Sequence, residues 1–149
     1  MFRRMLVVTA IAVGLVAPML SSPVMAHHSG AAYAQCEVTL RGTVTEYDWG
    51  NPHVVIVWNV KDDAGATASW SGELASVSSE LADGMTKNSV KTGDDLIFTV
   101  KPAKSGSTTS LISTIKHADG SVLMGYSRRA AAGGQATPAC SAKPGQPQS

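Results

Sequence analysis

His53 to Lys61 reads HVVIVWNVK, and this stretch decides the fold. Val54, Ile56, Trp58 and Val60 occupy alternate positions, separated by Val55, Val57 and Asn59. A side-chain period of two belongs to an extended strand, and branched and aromatic residues suit its pleated surface. The run is framed by turns. Before it, Gly50-Asn51-Pro52 stops the chain, because the proline fixes its own dihedral and pushes Asn51 out of the helical region. After it, Asp62-Asp63-Ala64-Gly65 closes a hairpin, with Gly65 able to adopt a positive dihedral.

The same period continues on both sides. In Glu37 to Trp49, Val38, Leu40, Gly42 and Val44 share one face and Thr39, Arg41, Thr43 and Thr45 the other. Gly42 inside such a run predicts a bend or bulge. Thr67 to Leu74 returns with Trp70 and Leu74 inward. Ser76 to Asp83 predicts a short helix, capped by Ser76 or Ser78 and ended by Gly84. Asp95 to Lys101 places Leu96, Phe98 and Val100 on one face. Thr108 to His117 places Leu111 and Ile115 on one face and Ile112 on the other, and Ser121 to Tyr126 is a last short strand. About six short strands, one helix between the third and fourth, and no βαβ rhythm predict an all-β fold. The expected form is a small antiparallel barrel of the oligonucleotide/oligosaccharide-binding (OB) type, with a small sandwich as runner-up.

The flanks predict where the chain goes. Met1 to Ala26 has the three parts of a secretory signal: Arg3 and Arg4, the apolar Leu6 to Leu20, and Val24-Met25-Ala26 before a cut. Removing these 26 residues from 149 leaves 123, enough for one domain over 27–126. No later stretch is apolar for long enough to cross a bilayer, so a periplasmic or secreted protein is expected. Residues 127–149 hold many Gly, Pro, Ser and Gln and cannot build a core, which predicts disorder except where Cys140 anchors them. Cys36 and Cys140 are the two cysteines, and an even count in an exported chain favours a disulfide between them. His27 to Gln35 reads as extended and mobile. The charge is nearly balanced, with 12 basic against 11 acidic residues, so nothing draws the chain to nucleic acid or anionic lipid.

Chemistry is sparse. A cut after Ala26 would make His27 the amino terminus with His28 beside it. The α-amine and the imidazoles together form a chelate of several nitrogens, which suits a copper-type ion. His53, at the mouth of a strand behind a rigid turn, is the candidate third ligand. The plain alternative makes the terminal pair a polar end and His53 a turn-flanking side chain. His117 reads as a surface histidine. Trp49, before the turn, is the candidate exposed ring for a ligand, and Glu73 the candidate site carboxylate. Asp62, Asp63, Asp94 and Asp95 lie in turns where aspartate serves the backbone. The sequence holds no HExxH, GxSxG or phosphate-binding loop.

His27-His28-Ser29, Gly42-Thr43-Val44, Trp49 with Asn51-Pro52-His53, Trp70 with Glu73, Gly84 and Gly93-Asp94 follow one another in a familiar order. Together, from about Ala26 to Gly125, they resemble a family of small exported bacterial proteins of unknown function. The resemblance implies an exported single β-rich domain and brings no activity with it. The chain departs from the family's pattern at Met85, where relatives carry an aromatic residue, and the cysteine pair looks particular to it.

The expected function is therefore an exported, non-catalytic binding module that holds a copper-type ion through His27, His28 and His53. The alternative is a metal-independent module for a small ligand or another envelope protein, using the barrel face or Trp49. An enzyme with an unfamiliar site is the third reading.

Overall fold

A computed structural model describes residues 30–125 and 136–147. Its elements are β1 (Val38–Asp48), β2 (Val55–Lys61), β3 (Thr67–Glu73), the helix α1 (Val77–Ala82), β4 (Asp95–Pro102), β5 (Thr109–Lys116) and β6 (Val122–Met124). β1 pairs antiparallel with β2 on one side and β4 on the other, β2 with β3, and β4 with β5. A short parallel contact of β3 Ser71–Glu73 with β5 Thr109–Leu111 closes the five-strand ring. β6 adds to β5 beyond that contact, at Thr114–Lys116. The expected OB-like barrel, with its helix between β3 and β4, is the observed architecture.

The alternation in the sequence fills the barrel. Val54, Ile56, Trp58, Trp70, Leu96, Phe98 and Val100 are buried. Trp58 and Phe98 stack with ring centroids 4.1 Å apart, and Trp58 meets Trp70 at 6.5 Å. Gly42 lets β1 pass directly over this stack. A Cβ there would collide with the Asn59 carbonyl oxygen and lie 2.6 Å from Trp58 Cδ1. The bulge in β1 sits just beyond, between Val44 and Glu46.

Two details differ from the expected pattern. Ile112 and Ile115 are both fully buried, although a strict period of two puts them on opposite faces. The register slips between Thr99 and Val100, whose partners are Thr114 and Ile112, so Ser113 is the extra residue that turns both isoleucines inward. The N-terminal approach is not the mobile stretch expected, at least from Gly30 onward. A 3-10 turn, Gly30–Ala32, leads into Tyr33 and Ala34, which are buried at 9% and 0% exposure. Ala34 N donates to Pro102 O at 2.9 Å and Lys104 N to Ala32 O at 3.0 Å, docking this arm on the end of β4.

Cys36 and Cys140 form the expected disulfide, with Cα atoms 4.9 Å apart. The anchor extends over neighbouring residues. Glu37 N donates to Pro138 O at 2.8 Å and Cys140 N to Glu37 O at 2.9 Å, a parallel bridge to Ala139. Further on, Gln146 and Pro147 cross so close above Gly106 that a Cβ there would lie 2.7 Å from Pro147 N. The rest of the stretch expected to be disordered, through residue 135 and at 148–149, lies outside the described residues, as does the leader. Among the described residues, no helix is long and apolar enough to cross a membrane.

Candidate functional site

His53 is placed by the turn that the sequence singled out. The Asn51-Pro52 bond is cis. Asn51 Oδ1 accepts from Val77 N at 3.2 Å, tying the turn to the start of α1. Ser76 caps that helix, its side chain accepting from Ser79 N. At the other end Gly84 N donates to Leu81 O and Met85 N to Glu80 O, the paired bonds of a glycine-terminated helix. Inside the corner, Val54 N donates to Ala75 O and Leu74 N to Val54 O, so the backbone on both sides of His53 and Glu73 is held.

β2 and β3 bring the two side chains together. Val55 faces Glu73 across the ladder, and Glu73 Oε2 lies 3.6 Å from His53 Nδ1. Both are partly open, with side-chain exposures of 30% for His53 and 24% for Glu73. The third member is Tyr33, from the docked arm. Burial raises its phenol above the ordinary tyrosine value, and the charge of Glu73 raises it further. A histidine, a carboxylate and a phenol from three separate segments thus share one end of the barrel. No motif in the sequence pointed to Tyr33; a lone aromatic in an Ala-rich stretch was the signal present.

Trp49 lies on the other side of the Asn-Pro turn. Its ring is half-buried, packed on the core and 5.9 Å from the Tyr47 ring, so it is less open than the exposed platform expected. Tyr47 donates to Thr86 O at 3.0 Å. Burial first, and then the charge of Glu80, push the Tyr47 phenol well above its ordinary range. Glu80 is fully buried, and its Oε1 accepts from Ala75 N at 2.7 Å.

His117 follows the end of β5 at the far side of the barrel and joins nothing at His53. His27 and His28 lie outside the described residues. Among the described residues, no group of three His, Cys, Asp or Glu side chains is arranged to hold a metal ion. His53 and Glu73 supply two such groups, and a third would have to come from the chain before Gly30.

Fold and site define a small, disulfide-tied OB-like barrel with a histidine–carboxylate corner beside its N-terminal arm. The chain belongs to DUF6152, a family of unknown function, whose match covers residues 15–113. No curated protein and no solved structure matches it. The disulfide and the lack of a membrane-crossing helix among the described residues are compatible with an exported protein.

Proposed function

We propose that the protein is an exported, non-catalytic binding module whose mature chain begins at His27 and holds a copper-type ion through His27, His28 and His53. One observation carries this reading: the arm that follows the two histidines docks beside the corner where, among the described residues, His53 faces Glu73. His28 precedes Tyr33 by five residues, a reach of at most about 17 Å, and Tyr33 shares its neighbourhood with Glu73. The donor chemistry fits. Amine and imidazole nitrogens suit Cu(II) better than Zn(II) or Mg(II). A carboxylate facing one imidazole nitrogen is the usual outer partner of a metal-binding histidine, because it fixes the ring and raises its basicity.

The test uses exported protein of verified intact mass. Protein beginning at His27 should bind about one equivalent of Cu(II) in a competition titration, with the spectrum of a nitrogen-rich site. One extra residue before His27 moves the amine away and should weaken binding by about 100-fold, within the range seen when ligands or their supports are lost. Equal affinity with and without that residue would overturn the reading. The metal-independent alternative is favoured by a different observation, a charged trough at the opposite end of the barrel.

A further inference from the structure

The outer face of the barrel carries a trough where β2 ends, β3 begins and β4 begins. Its ridge is an ion pair. Arg41 Nη2 lies 3.5 Å from Asp95 Oδ2, and Thr43 Oγ1 donates to Asp95 Oδ1 at 2.8 Å. A hollow of about 450 Å³ opens on one side of the ridge, bounded by Asn59, Lys61 and Thr67. A second of about 310 Å³ opens on the other, bounded by Ile97, Lys116 and His117. Arg41 and Asp95 border both.

The charges are unevenly spent. Asp95 is engaged by Arg41 and Thr43. The acids beside the hollows are turned into their own hairpins: Asp62 accepts from Ala64 N and Ala66 N, and Asp119 from Ser121 N and Oγ. Among the described residues, no acid forms an ion pair with Lys61 or Lys116. Each hollow therefore has a lysine at its outer end and shares the arginine in the middle. From β2 to β5 across β1 and β4 is three strand spacings, about 14 Å, the span of roughly four residues of extended chain.

We propose that this trough binds an extended acidic segment of a partner protein, with one carboxylate in each hollow and neutral residues crossing the ridge. The lining selects this occupant. Among the described residues, no Phe, Tyr or Trp lines the trough and His117 at its rim is the one ring, so it lacks the run of aromatic platforms on which successive nucleic-acid bases stack and the broad flat face that sugar rings use. A polymer charged at every unit would set a negative group over Asp95, whereas a peptide can place a neutral residue there. Thr43, Thr67 and Asn59 supply hydroxyl and amide partners for a peptide backbone.

Fluorescence polarisation with chelator present tests this. The probe is a labelled pentapeptide with glutamate at both ends and three serines between. At about 20 mM salt, where surface charges are weakly screened, it should bind saturably below about 1 mM. It should bind more tightly than the all-glutamate peptide, and the all-serine peptide should not bind. Arg41→Gln should weaken binding about five-fold and Lys116→Gln about two-fold, the scale of exposed ion pairs. Lys87→Gln, near α1, should change nothing, and circular dichroism should show each variant folded. Tighter binding of all-glutamate peptide or heparin would make the trough a general polyanion surface and overturn the proposal, as would no saturable binding of the spaced peptide.

Discussion

The two ends of strand β2 sit in opposite environments. At Val55 the barrel is sealed. The Asn51 turn is tied to α1, the arm is docked on β4, and the disulfide ties the tail to the residues just before β1. Polar groups there are partly or wholly withdrawn from water, and Tyr33 and Tyr47 titrate above their ordinary value for that reason. At Lys61 the charges stand in solvent, with Arg41 and Asp95 at 73% and 56% side-chain exposure. Charge therefore carries different weight at the two ends. In water such a pair contributes little, and under burial a single carboxylate shifts its neighbours.

That contrast can be broken most sharply at the disulfide. Replacing both Cys36 and Cys140 by serine should cost about 4 kcal/mol in urea unfolding, since the link closes a loop of about a hundred residues. Hydrogen exchange should rise first at Glu37 and along 136–147, while Thr43 to Lys61 stays protected until global unfolding. Next comes Gly42. Gly42→Ala drives a methyl into the Asn59 carbonyl and Trp58, contacts that backbone cannot relieve, and should cost about 2 kcal/mol. The largest single-residue weakness of the open end would then be a missing side chain, with its charges counting for less.

Smaller effects sharpen the comparison. Tyr47→Phe removes the hydrogen bond to Thr86 O and should cost about 1 kcal/mol near neutrality. Its alkaline behaviour is the better measure. The folded phenol holds its proton above the unfolded value, so this stabilisation is complete below about pH 10 and is lost as pH rises toward the folded value. The wild type should therefore lose stability above about pH 10 more steeply than Tyr47→Phe. Parallel curves would show that the phenol is no more buried than the charges of the open end. The smallest effect is Arg41→Ala, at most about 0.5 kcal/mol and vanishing in high salt.

Much of the barrel was legible because five strands bury one face each, and alternation survives that without any knowledge of the partner strand. Val54, Ile56, Trp58, Leu96, Phe98 and Val100 all landed inside. The helix was legible from its caps, Ser76 and Gly84, since capping is local chemistry. What failed was non-local. The inward turn of both Ile112 and Ile115 depends on the slip against β4, which no periodicity in β5 reveals. Docking of Tyr33 and Ala34 depends on Pro102 and Ala103, about seventy residues away along the chain. The site was legible only in part. His53 and Glu73 were each read as candidates, but their meeting is set by the β2–β3 register, and Tyr33 became part of the corner only through the arm.

The bond between Cys36 and Cys140 closes the covalent path through the barrel into a ring. A single nick in the exposed Asp63-Ala64-Gly65 tip would therefore leave one molecule of nearly unchanged mass, which falls into two pieces only when a reductant is added. Joining other neighbours and opening the ring at that tip would give a circularly permuted chain whose new termini lie far from the histidine corner.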